Sequence, residues 1–144
     1  MKRILIIHGP TIGLCTERKG GVGTVDSIET LNKQLTAFAV QNGMECTFFH
    51  SNHEGDLVDA LQRTRGETDG VILNAGGYAH YSYVIRDAAA LLTVPCVEVH
   101  PSNIYAMGER TSIVAPVCAG QVTGFGKYSY FLAVLALKEL LSEG

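Results

Sequence analysis

Short apolar runs alternate along the chain with segments whose apolar residues recur every three or four positions. Residues 4–7 form a compact apolar run closed by Gly9-Pro10, the pattern of a strand buried on both faces. Over residues 27–42, Ile28, Leu31, Leu35 and Phe38 fall at helical spacing, with Asp26 as N-cap and Gly43 just past the C-terminus. Residues 44–49 predict a second strand. A helix follows with Leu57, Val58 and Leu61 on one stripe, entered through Asn52 as its cap. Residues 71–73 predict a third strand, and a helix then runs from near Tyr83 to about Leu92. Residues 96–99 predict a fourth strand, and Ile113-Val114 a short fifth. A helix from about Tyr128 to Leu141 follows that strand.

Strand-helix alternation with near-continuous apolar strands predicts an α/β fold, a mainly parallel sheet with helices on both faces. Five strands in this pattern suit the flavodoxin-like doubly wound order 2-1-3-4-5, in a single domain spanning residues 1–144. Such sheets bind ligands outside the carboxyl ends of their strands, where loop amides converge. Here those ends read His8-Gly9-Pro10-Thr11, His50-Ser51-Asn52-His53, Asn74-Ala75-Gly76-Gly77 and Glu98-Val99-His100-Pro101-Ser102-Asn103. Hydrogen-bonding side chains crowd that edge, which predicts a small-molecule pocket.

Composition narrows the classes. A hydrophobic fraction of 47% with 17% charged residues excludes a disordered chain. The net charge of −3, without a basic stripe, argues against nucleic acid as a partner. No apolar run is long enough for a membrane span or signal peptide, so the expected location is cytoplasmic. Cys15, Cys46, Cys96 and Cys118 form no CxxC pair, and three of them sit in apolar segments as small hydrophobes. The sixteen glycines point to shaped turns and ligand loops.

Several nucleotide and metal motifs fail on inspection. A phosphate-binding P-loop ending at Gly126-Lys127 would need glycine where Gln121 stands and a Ser or Thr where Tyr128 stands. A dinucleotide fingerprint starting at Gly21 would end on Asp26 instead of glycine. His8 and Thr11 stand where a receiver domain has its acidic cluster, and Pro10 removes an amide donor a flavodoxin loop would use. His50 and His53 have helical spacing but straddle a strand-helix junction with no third ligand, so no metal site is assigned.

Taken in order, Phe48–Gly55, Ile72–His80, Ile85–Ala88 and Val97–Ile104, with His8-Gly9-Pro10 and residues 120–130, resemble the type II 3-dehydroquinate dehydratase family over essentially the whole chain. The resemblance implies a flavodoxin-like fold, usually assembled as trimers packed into a dodecamer. It also implies anti elimination of water from 3-dehydroquinate, a cyclic hydroxy-ketone carboxylate, through an enolate. No metal or organic cofactor is implied. His100 matches the general acid, and Glu98, two residues earlier on the same strand face, is placed to hold its imidazole. Arg18 matches the arginine of a mobile lid at about residues 14–25. Asn74, His80, Ser102, Asn103 and Arg110 match substrate contacts, Thr11 occupies a substrate-side position, and Asp87 matches a residue that reaches a neighbouring subunit's site.

The sequence also departs from the family pattern. Gly23 occupies the position of the lid tyrosine that serves as base, and no tyrosine precedes Tyr78. Thr11 replaces the enolate-stabilising asparagine, His8 another asparagine, and Met107 a loop arginine. Three readings follow. The first is a dehydratase with a rearranged base, for which Tyr81, Tyr83 and Tyr105 are candidates. The second is a relative acting on a different cyclic hydroxy-ketone. The third is a non-catalytic small-molecule-binding oligomer.

Overall fold

The computed structural model describes residues 1–12 and 27–142. Its strands are β1 (Lys2–His8), β2 (Met44–His50), β3 (Gly70–Asn74), β4 (Cys96–His100) and β5 (Gly120–Thr123). Its α-helices are α1 (Ile28–Gln41), α2 (Glu54–Gln62), α3 (Tyr83–Ala90) and α4 (Tyr128–Ser142). The sheet is parallel, with the order β2-β1-β3-β4-β5 that the alternation predicts.

Side chains alternate across each strand and divide the core in two. Ile4, Ile6, Ile72, Val97 and Val99 pack with Leu31, Leu35, Val134 and Leu137 of α1 and α4. Ile7, Val71, Leu73 and Cys96 pack on the other face with Leu57 and Leu61 of α2 and Ile85 and Ala89 of α3. This parity sends Glu98 and His100 to the α2/α3 face, and His8 and Asn74 to the α1/α4 face.

Three local expectations are corrected. Ser27, not Asp26, caps α1: its side chain accepts from Thr30 N, while Asp26 lies outside the described residues. The N-cap of α2 is His53, without a side-chain bond, because Asn52 Oδ1 instead accepts from Thr11 N. Ile113-Val114 is not a strand. Ile113 N bonds Ala79 O, and the chain turns at once into a short 3-10 helix, Ala115–Val117, that carries Pro116. The fifth strand is Gly120–Thr123, among the described residues an edge strand paired with β4 and none of it fully buried, which is why it lacks an apolar run.

Two glycines bring the ends of β1 and β3 together. A Cβ on Gly9 would lie 2.3 Å from Asn74 O. Gly76, at φ +58°, sits where a Cβ would meet Pro10 at 3.0 Å.

Candidate active site

A cleft of about 310 Å³ opens at the carboxyl ends of β1, β3 and β4. Thr11, Asn74, His80, His100, Ser102 and Arg110 all line it, so six side chains nominated from scattered sequence positions meet in one place. Glu98 lies directly behind. Asp87 sits exposed on α3 and does not line the cleft. Asn103 stays outside it too, its Oδ1 accepting from Tyr105 N at 3.2 Å to cap the short helix Ile104–Met107. Arg18, Cys15, Gly23 and the lid at about residues 14–25 lie outside the described residues.

His100 and Glu98 are both buried, as their shared strand face requires. His100 Nε2 is 3.4 Å from Glu98 Oε1, within ion-pair distance but off the axis of a hydrogen bond. The carboxylate is fixed by two donors: Ser112 Oγ donates to Oε2 at 2.7 Å and Gln121 Nε2 to Oε1 at 2.6 Å. Ser112 is itself held, since its oxygen accepts from Val114 N and Ala115 N. With Nε2 turned toward the carboxylate, Nδ1 is the ring nitrogen left for a ligand. A carboxylate that orients an imidazole in this way selects the nitrogen that serves chemistry.

The His80 ring stacks beside that of His100, centroids 6.3 Å apart and planes at 15°. Its Nδ1 lies 2.7 Å from Thr111 O. A carbonyl can only accept, so Nδ1 carries the hydrogen, and Nε2 of the neutral ring is an acceptor for a ligand hydroxyl. Thr11, at φ 66°, holds a β-branched residue in the left-handed region at the rim of the cleft, a conformation such side chains avoid.

None of the three tyrosines considered as replacement bases lines this cleft. Tyr81 and Tyr83 are exposed. Tyr105 donates its hydroxyl to Gln121 Oε1 at 3.0 Å, extending the chain of contacts behind Glu98. Sequence reasoning missed Ser112 and Gln121 because they lie in a loop and on an edge strand that no local pattern marks. It also missed the buried Tyr130, whose hydroxyl meets both His8 and Asn74. The stripe Tyr130, Val134, Leu137 and the parity of His8 with Ile4 and Ile6 carried that signal.

Known proteins share this whole arrangement of elements. The sequence model of the family described as dehydroquinase class II matches residues 2–138. The chain is 42% identical over 143 residues to the 3-dehydroquinate dehydratase of a Nitratiruptor species, covering 98% of this chain and 92% of that one. It is 43% identical over 144 residues to the 3-dehydroquinate dehydratase of Caldicellulosiruptor bescii, covering 98% and 99%. The crystal structure of the type II dehydroquinase from Butyrivibrio crossotus superposes with a TM-score of 0.84 at 34% identity, over 94% of this chain and 97% of that one.

Proposed function

The chain belongs to the class II dehydroquinase family, and from that membership we propose that it is a hydro-lyase converting 3-dehydroquinate to 3-dehydroshikimate through an enolate. His100 is the general acid, giving the departing hydroxyl a proton from Nδ1 while Glu98 holds the ring from behind. The observation that carries this reading is the buried Glu98–His100 pair at the base of a cleft, its carboxylate fixed by Ser112 and Gln121. Asn74, His80, Ser102, Arg110 and Thr11 bind the substrate, joined by Asn103 from the segment after β4. Arg18 acts from the lid at about residues 14–25, and Asp87 serves the site of a neighbouring subunit.

This reading takes residues 1–144 as one cytoplasmic domain in a trimer-based homo-oligomer, a dodecamer. Among the described residues, no helix is long and apolar enough to cross a membrane. Exposed Tyr83 and Val84 on α3, and Tyr128, Leu132 and Leu135 on α4, support subunit contacts. Sedimentation is expected to return a mass that is a multiple of the trimer, and a monomer would overturn the assembly.

Mixing the protein with 3-dehydroquinate and following the enone absorbance of the product tests the activity. The wild type is expected to turn over, and His100→Ala to lower kcat on the order of a hundred- to ten-thousandfold. An inactive wild type, or full activity in His100→Ala, would overturn the reading. Gly23 at the lid tyrosine position and Thr11 at the enolate-side position favour a second reading. In it the protein acts on a different cyclic hydroxy-ketone or binds one without turnover. Saturable quinate binding without turnover of 3-dehydroquinate would support that alternative.

A further inference from the structure

A second buried polar arrangement lies on the opposite face of the sheet from Glu98 and His100. His8 ends β1 and pairs in register with Asn74 at the end of β3. His8 and Tyr130 are completely buried and Asn74 is nearly so. His8 Nε2 lies 2.7 Å from Asn32 Oδ1 on α1, and Nδ1 lies 3.1 Å from the Tyr130 hydroxyl on α4. That hydroxyl accepts from Asn74 Nδ2 at 2.8 Å, while Asn74 Oδ1 accepts from Gly76 N at 2.9 Å.

The chemistry of the partners fixes the protons. Asn32 Oδ1 only accepts, so Nε2 of His8 carries the hydrogen. Burial favours the neutral imidazole and moves its pKa below the ordinary 6.5; the Asn32 bond opposes this and nearby His50 reinforces it. Nδ1 is therefore an acceptor and the Tyr130 hydroxyl donates to it. A hydroxyl whose proton is committed to His8 must accept from Asn74, so it selects the amino side of that carboxamide, and Gly76 N selects the oxygen side. A terminal amide without such anchors rotates broadly and can exchange its two ends.

We propose that His8 is a positioning residue for Asn74: acting through Tyr130, it fixes the carboxamide so that the cleft meets a ligand oxygen with an N–H donor. This rests on the cleft being the substrate site. It adds a specificity element, because a hydrogen-bond-accepting oxygen is selected at that point and a pure donor is rejected.

Three variants test it. Asn places its Oδ1 where His Nδ1 stood, so His8→Asn keeps an acceptor for Tyr130. His8→Leu removes the acceptor, and Tyr130→Phe removes only the hydroxyl. In ¹⁵N-labelled protein, His8 is expected as the Nε2–H tautomer, with the Asn74 side-chain amide protected from solvent exchange. His8→Leu and Tyr130→Phe are expected to lose that protection and raise KM for 3-dehydroquinate about tenfold, with kcat changed less than about threefold. His8→Asn is expected to restore protection and to return KM to within about twofold of the wild type. Wild-type protection and KM in both His8→Leu and Tyr130→Phe, or a His8→Asn as impaired as His8→Leu, would overturn the assignment. The exchange measurement needs no turnover, so a protein inactive on 3-dehydroquinate would defeat the dehydratase reading and leave this one decided by the amide alone.

Discussion

Glu98 shows how strongly a single side chain is specified here. Both of its oxygens accept from donors, so Glu98→Gln would turn an amide N–H toward Ser112 or Gln121 and leave a buried donor unpaired. The expected cost is about 2 kcal/mol of stability by urea unfolding, together with a loss of roughly tenfold or more in kcat as the imidazole loses its orienting charge. His8 makes a different demand. Its pKa in the fold is depressed, chiefly by burial, so the unfolded chain binds the extra proton first as pH falls. Stability from this group is therefore fully present above about 6.5 and declines as pH drops from there toward the lower folded value. Melting temperatures recorded across that range are expected to fall more steeply for the wild type than for His8→Asn, and parallel curves would contradict it. Residue-level chemistry was only partly legible in the sequence. Glu98 and His100 were visible as polar residues at a strand end, with a period of two placing both on one face, and their roles as support and acid came from the family resemblance. Ser112, Gln121 and Tyr130 did not, because their partners are far away along the chain and no local pattern marks such pairings.

Elements were more legible than the contacts between them. Strands β1, β3 and β4 are apolar runs because both of their faces are covered, and the apolar stripes of α1, α2 and α4 repeat with helical spacing. The edge strand β5 escaped because an uncovered edge needs no apolar run, and the more apolar Ile113-Val114 nearby serves as packing under a loop. Cap identities were missed by one residue, since Asp26 and Ser27 are both good caps and only geometry chooses between them. Ser27→Ala is accordingly expected to destabilise the protein by about 1 kcal/mol in a denaturant titration, through loss of the bond to Thr30 N. The junction of β1 with β3 is less forgiving. Gly9→Ala would drive a methyl group into the Asn74 carbonyl, where backbone has to move on both strands. Its expected cost is about 3 kcal/mol, and a melting temperature equal to that of the wild type would show that the two strand ends are not locked together.

For the molecule as a whole, the doubly wound sheet explains why residues spread from Thr11 to Arg110 share one cleft. Parallel strands end on the same edge, and each crossover returns the chain to that edge with a new polar loop. Two buried supports back the cleft from opposite faces of the sheet. One holds His100 through Glu98, and the other holds Asn74 through Tyr130 and His8. Substrate chemistry was legible only through resemblance, since strand-end polarity predicts a pocket and leaves its ligand open. A crystal structure of the protein soaked with quinate tests the assignment of this cleft as the substrate site. Quinate is expected in this cleft, with a hydroxyl within hydrogen-bond distance of His100 Nδ1 and another oxygen accepting from Asn74 Nδ2. Quinate bound elsewhere, or bound in the cleft with His100 Nδ1 out of its reach, would contradict it.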